Sequence, residues 1–318
     1  MTFKGEKFRS LVSSLLVACA ATTSGGCISH SYDRSEFASA NVLEENQHLV
    51  RQGFGLSRFQ RLGDFSVSKT TDHMIWISRE QGVSCDIYIP SGTHKAPVVV
   101  IQHGNESFKE AHSDQAQHLA SWGFIVVTTQ LPNEGQWIQN GITLAKFTKM
   151  IHQWPALLSP RVDKNRIIVV GHSFGGSAAA LAAANDAPAM GIILLDPAIV
   201  SADVNLQLKH IDAPVALLGA DPTVFRSRKR ESFFSRIRSN IMEISIRGST
   251  HDDATSPSLT AIKWFGIDPA VTVEHQKTFS AALLVSVISM TQTKGNRLAW
   301  NVFQPEVANG VIRDGRIK

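Results

Sequence analysis

The stretch Gly171-His172-Ser173-Phe174-Gly175 holds a serine with a glycine two residues away on each side. A serine hydroxyl is a poor nucleophile until a base takes its proton, and that base works best when a carboxylate orients it. Residues of both kinds follow in the chain. His251, in Gly248-Ser249-Thr250-His251-Asp252-Asp253, is the candidate base, and Asp196 and Asp221, each directly before a proline, are the candidate acids. Charge developing on an attacked carbonyl also needs preorganised donors at ~3 Å. The loop Gln102-His103-Gly104-Asn105 and the residue after the serine are placed to supply them, as the backbone N–H groups of Asn105 and Phe174. His103 is read as a hydrogen-bonding group that holds this loop. The chemistry is acyl transfer, for which neither a cofactor nor a metal is expected.

Such groups need strand ends to carry them. Ile167–Val170 is an apolar, β-branched run suited to a strand covered on both faces, and Ala178–Ala184 has high helix propensity. Ser173 therefore falls on a strand-turn-helix corner, where the backbone is strained and Gly171 and Gly175 must be small. The same rhythm runs through expected strands at 98–101, 124–129, 191–195, 214–218 and 242–246. Expected helices span 110–121 and 138–154, with a closing helix at 271–290. Ahead of them, 73–78 and 83–89 alternate as an antiparallel hairpin about a turn at 79–82. Alternating strand and helix imply right-handed crossovers. The expectation is an α/β-hydrolase fold: a mostly parallel, doubly wound sheet with an N-terminal antiparallel hairpin. Too few residues separate Asp196 from Pro214 for a large cap domain, so the site should be open.

In this fold the chain order is serine, acid, histidine. His251 follows the last expected strand, whereas His210 and His275 fall on helices or their approaches. Asp221 occupies the usual place of the acid, after the later strand, but Asp196 also stands at a strand end, and position alone leaves the two open. An aspartate before proline has turn-forming uses as well. Asp252 and Asp253 lie too close in sequence to His251 to be preferred.

The 318 residues, 43% hydrophobic and 18% charged, are those of a globular protein with a large core. A net charge of +4 is too small to argue for nucleic acid, and no nucleic-acid-binding motif is present. Lys4, Lys7 and Arg9 before the apolar stretch Leu11–Ala21 read as an export signal over residues 1–26. Leu16-Val17-Ala18-Cys19 resembles a bacterial lipobox, with Cys19 as the lipidated residue. Ser24-Gly25-Gly26-Cys27 is a poorer version centred on Cys27, and Ala18-Cys19-Ala20 fits ordinary signal cleavage. The chain is thus expected in the bacterial cell envelope, as a periplasmic protein or an anchored lipoprotein, or secreted. Residues 27–63 read as a tether and irregular lead-in, and 64–318 as the catalytic domain. Three cysteines exclude a disulfide framework, and Cys85 reads as a small buried strand residue.

The densest charge run is Arg226–Arg238. A basic amphipathic helix there would suit an anionic lipid surface, whereas an ordinary helix would bury Phe233, Phe234 and Ile237 and leave the arginines solvated. The first case is the alternative to an enzyme, a non-catalytic α/β-hydrolase-fold protein that binds lipid or an envelope partner.

Over roughly Pro97 to Met290 the chain resembles the plasma-type platelet-activating-factor acetylhydrolase family and its bacterial relatives, close to chlorophyllase-like and dienelactone-hydrolase-like esterases. The marks are Val98-Val-Val-Ile-Gln-His-Gly104, Leu119-Ala-Ser-Trp-Gly-Phe-Ile-Val126, Gly171-His-Ser-Phe-Gly-Gly176, Gly191-Ile-Ile-Leu-Leu-Asp196 and Ile246-Arg-Gly-Ser-Thr-His251. The resemblance implies Ser173 as nucleophile, His251 as base, Asp196 as acid, and the amides of Asn105 and Phe174 as oxyanion donors. It implies a small ester or lipid substrate, with a short or acetyl acyl group. The polyester hydrolases and many lipases place the acid later, which corresponds to Asp221. Asn105-Glu106-Ser107 departs from the more apolar loop of the acetylhydrolases, and serine in place of cysteine departs from the dienelactone hydrolases.

Overall fold

The computed structural model describes residues 48, 50–52, 54–133, 135–224, 230–257 and 269–318. All of them lie in the compact unit Ser35–Lys318. Residues 1–26, read above as an export signal, with Cys27, and residues 226–229 of the basic run, lie outside the described residues.

One nine-stranded sheet runs in the order β1-β2-β4-β3-β5-β6-β7-β8-β9. β1 (Val67–Trp76) and β2 (Gly82–Pro90) form the antiparallel hairpin at one edge. β3 (Ala96–Gln102), β4 (Ile125–Gln130), β5 (Val162–His172), β6 (Gly191–Leu195), β7 (Val215–Gly219) and β8 (Ile241–Ile246) make the parallel centre. β9 (Ile312–Ile317) closes the other edge antiparallel to β8. The helices between them are α1 (Ser113–Ser121), α2 (Trp137–Gln153), α3 (Phe174–Ala184), α4 (Ala202–Gln207), α5 (Arg230–Arg236), α6 (Pro269–Thr293) and α7 (Arg297–Ala308). This is the α/β-hydrolase architecture, without a large cap: only α4 and a short 3-10 turn lie between β6 and β7.

Successive side chains of a strand point to opposite faces, so the continuous apolar runs feed two cores. Val99, Ile101, Ile168, Val170, Ile193 and Leu195 pack in one cluster with Phe279, Leu283 and Leu284 of α6. Val98, Val100, Ile167, Val169, Ile192 and Leu194 pack in the other with Leu144 and Phe147 of α2 and Leu181 of α3. The strand ends that carry Gly104, Ser173, Asp196 and Asp221 are thus fixed from both sides.

Several elements differ from the sequence expectation, each for a physical reason. β1 starts at Val67 rather than at 73, because six of its first seven residues are exposed and polar and a bulge with Asp72 at φ 53° breaks its alternation. A 3-10 turn, Lys109–His112, precedes α1 where one helix was expected. The closing helix is followed by α7 and β9, both absent from the expectation; β9 has only its two end isoleucines as apolar residues. The lead-in segment joins the core: Leu56 and Phe59 of the 3-10 turn Leu56–Gln60 are buried, and the Leu56 N–H donates to Glu306 Oε1 at 2.7 Å. Cys85 is buried, its Sγ donating to the His73 carbonyl at 3.3 Å, and burial pushes its thiol up to about 12. Among the described residues no helix is long and apolar enough to cross a membrane.

Candidate active site

The serine sits where β5 turns into α3, at φ 55° and ψ −122°, a conformation that an L side chain rarely adopts. The turn is tied down by its own backbone. The Ser173 N–H donates to the Leu195 carbonyl of β6 at 3.1 Å, and the Ser173 carbonyl accepts from the N–H groups of Gly176 and Ala198, each at 2.9 Å. The two spaced glycines are required by close approach. A Cβ at Gly171 would lie 2.2 Å from the Gly175 carbonyl oxygen, and one at Gly175 would lie 2.2 Å from that of His103. The second contact pins the corner against the loop after β3. The result is a half-buried serine at a rigid strand end.

Asp196 ends β6, 1% exposed and at φ 36°. Its Oδ2 meets His251 Nδ1 at 2.6 Å, and its Oδ1 accepts from the Ala220 N–H at 3.0 Å. A carboxylate only accepts, so the imidazole donates from Nδ1. His172, the residue before the serine, lies against the same ring with centroids 4.6 Å apart, and its Nε2 donates to the His251 carbonyl at 3.2 Å. Burial, then the neighbouring His251 and His112 rings, holds the His172 pKa well below its usual value, so it braces the loop as a neutral group.

Asp221 ends β7 and is also buried, yet it does not meet His251. Its Oδ1 accepts from the Thr223 N–H at 2.9 Å and the Thr223 hydroxyl at 2.7 Å; its Oδ2 accepts from the Gly248 N–H and from Arg313 Nε, both at 2.7 Å. Burial opposes the charge, but these hydrogen bonds, led by that from Gly248, outweigh it and hold the carboxyl well below the usual carboxylate range. Its own N–H donates to the Ser249 carbonyl at 3.1 Å. Asp221 is therefore the clamp of the loop that carries His251. Asp253 pins the far side of that loop, its Oδ2 accepting from the Thr250 N–H at 2.7 Å and from His275 Nδ1 at 3.1 Å. His210 is exposed on a 3-10 turn, and burial raises the Asp252 carboxyl.

The loop after β3 runs directly against the serine: a Cβ at Gly104 would lie 2.9 Å from Ser173 Cβ. His103 Nδ1 donates to the Gly104 carbonyl at 2.7 Å, and burial lowers the pKa of this ring. Trp137, at the start of α2, is the residue that sequence reasoning missed. Its indole N–H donates to Asn105 Oδ1 at 3.2 Å, and its ring meets Phe174 edge-on with centroids 6.0 Å apart. One side chain thus touches both candidate donor residues. The only sequence signal was its place at the start of a helix that follows a parallel strand. Asn105, Trp137, Ile138, Phe174 and Val200 line a cavity of about 510 Å³.

Among the described residues one group of carboxylates has the spacing of metal ligands. Asp72, Asp86 and Glu110 bring an oxygen each within 4.8 Å of one another. Lys109 occupies it, with Nζ 2.9 Å from Asp72 and 3.0 Å from Asp86. Burial works against the ammonium, but hydrogen bonds to Glu110, Asp72 and Asp86 outweigh it and raise its pKa. This is an ion-paired anchor for the start of α1, away from the serine.

The basic run is an ordinary packed helix where it is described: Phe233 and Ile237 are buried. One arginine departs from the expectation that all would be solvated, since Arg230 is only 4% exposed.

The fold is that of the α/β-hydrolases, with a serine on the sharp turn after β5, and the family it matches is one of hydrolases of ester bonds. The model of the chlorophyllase family matches residues 59–222, just over half of the chain, and the chain belongs to that family. No curated protein matches it. The matched span holds Asn105, Ser173, Asp196 and Asp221, while His251 and the strand β9 lie beyond it.

Proposed function

We propose that the protein is a serine carboxylic-ester hydrolase working through an acyl-serine intermediate. The observation that carries this reading is the 2.6 Å contact between His251 Nδ1 and Asp196 Oδ2, on a ring that packs against His172, the residue before a serine held at positive φ on a strand-helix corner. Ser173 Oγ attacks the ester carbonyl as His251 Nε2 takes its proton, and the alcohol leaves with that proton. Water then gives a proton to His251, attacks the acyl carbon and releases the acid, and the proton returns to Ser173. Asp196 orients the ring and stabilises its charged form. The N–H groups of Phe174 and Asn105 are the proposed oxyanion donors, at a helix start and beside Gly104.

The cavity next to those donors is walled in part by Trp137, Ile138 and Val200 and is large enough to take an acyl group. Short acyl esters, acetyl esters of phospholipid type among them, are the proposed substrates. We place the enzyme outside the cytoplasm on the basic start and apolar stretch of residues 4–21, with Cys19, or Cys27, as the anchor. Intact mass of the mature chain distinguishes lipidation at either cysteine from simple cleavage.

The deciding experiment is labelling with a fluorophosphonate together with a panel of p-nitrophenyl esters from acetyl to long acyl. Labelling at Ser173, ester cleavage, and a loss of about a million-fold in turnover in Ser173→Ala are expected. Folded protein that neither reacts with the probe nor cleaves any ester would refute the reading.

A further inference from the structure

Arg230 opens α5, a short way along the chain from Asp221, and its guanidinium is buried between Asp196 at the end of β6 and Gly219 at the end of β7. Its Nε lies 3.6 Å from Asp196 Oδ1 and 3.9 Å from Glu243 Oε1. Neither Nε nor Nη1 makes a hydrogen bond among the described residues. The space it fills exists because residue 219 is glycine: a Cβ there would lie 1.1 Å from Arg230 Nη1. Glu243 of β8 is in turn held by Arg316 of β9, Oε2 to Nη2 at 2.6 Å. A buried cation with two donor nitrogens unpaired is costly unless it faces negative charge, and the charge it faces here is Glu243 together with the oxygen of Asp196 that His251 does not use.

We infer that Arg230 is a positioning residue for the proposed acid: it holds the Oδ1 side of Asp196 so that Oδ2 stays turned to His251, and it ties that carboxylate to the outer strands through Glu243 and Arg316. The inference rests on the reading of Asp196 as the partner of His251. The charged and titratable groups around it are Asp196 from the end of β6, Glu243 from β8, Asp314 and Arg316 from β9, Glu231 from its own helix, and His251 with the neighbouring His172. A cation beside the Asp196–His251 pair opposes its protonation. Removing the cation must make the pair take up its proton at higher pH.

The test uses the full chain and compares Arg230→Met, Arg230→Lys and Gly219→Ala, the last of which displaces the guanidinium without removing its charge. Titration of the His251 ring by NMR reads the pair whether or not an ester is turned over. The expected result is a midpoint about one pH unit higher in Arg230→Met and partial return in Arg230→Lys. Gly219→Ala should shift in the same direction, and adding it to Arg230→Met should change nothing further. At pH below the parent midpoint, turnover on the best p-nitrophenyl ester should fall about tenfold with KM little changed, and the loss should shrink as pH rises above the shifted midpoint. A midpoint and kcat unmoved in folded Arg230→Met would overturn the inference, as would a loss of thermal stability without either effect. Should the parent protein cleave no ester while the midpoint shifts as stated, the acyl-serine reading fails and the role of Arg230 stands.

Discussion

Asp196 and Asp221 end neighbouring parallel strands and are buried alike, at 1% and 0% exposure. Their partners differ. Asp221 gives one oxygen to Thr223 and the other to Gly248 and Arg313, so its acceptor sites are taken by groups that do not move protons. Asp196 has one oxygen on the Ala220 N–H and the other on His251 Nδ1. A place at a strand end therefore does not define the acid of such a site; the donors that reach each carboxylate do. One of those donors, Arg313, comes from the edge strand β9, so the last residues of the chain help to occupy the aspartate that does not face the histidine.

The largest effect that this contrast predicts is in turnover. Asp196→Asn should lower kcat on the order of ten-thousand-fold, because an amide in place of the carboxylate favours the wrong tautomer of His251. Labelling by fluorophosphonate should slow with it, and far-UV circular dichroism should stay unchanged. An Asp196→Asn protein with near-parental turnover would break the distinction between the two aspartates and return Asp221 to the role of acid.

For Asp221→Asn the larger effect should be on stability. The substitution leaves Arg313 without its charge partner and weakens the hold on Gly248, a loss of about 2 kcal/mol at neutral pH, or a melting temperature lower by about 5 °C. The pH dependence has a definite sign. Because the folded state holds the Asp221 carboxyl below its usual range, the stability it contributes is complete above the ordinary carboxylate pKa of about 4 and is lost as pH falls toward the folded value. The gap in melting temperature between parent and Asp221→Asn should therefore be widest near pH 7 and close progressively below about pH 4. A gap independent of pH would mean that the carboxylate charge is not what holds the His251 loop.

Much of this was legible in the sequence, and the parts that were not have one cause. The runs Val98–Ile101, Ile167–Val170 and Gly191–Leu195 can only be strands buried on both faces, and with the spaced glycines they place Ser173 and the loop of Asn105 without further information. β9 carries too little apolar surface to be read as a strand, because it is an edge whose contribution is ionic: Arg313 to Asp221, Arg316 to Glu243. One of the donors that occupy Asp221 comes from that strand, so this partner of Asp221 was hidden in the sequence at the same point. Arg230 was hidden for a related reason. In a run of basic residues nothing marks the one that is buried, and only the missing side chain of Gly219 reveals its seat.

A smaller effect tests the other side of the serine, where hydrogen bonding and ring packing replace charge. Trp137 meets Asn105 through its indole N–H and Phe174 through its ring edge, so the two contacts can be separated by substitution. Trp137→Phe keeps an aromatic ring against Phe174 and removes only the donor to Asn105 Oδ1. A neutral hydrogen bond of this kind contributes about 1 kcal/mol, which corresponds to a loss of roughly fivefold if it acts in the transition state. Because the donors proposed at Asn105 and Phe174 act on developing charge rather than on bound ester, the loss should appear in kcat with KM little changed. Trp137→Ala removes the ring as well and opens the cavity wall, so its KM should rise most for the short acyl esters that the wall is placed to contact. If Trp137→Phe instead raised KM and spared kcat, the indole would be a wall of the acyl pocket and not a brace for the oxyanion donors. The region around Asn105 would then differ from the Asp196 side in kind as well as in strength.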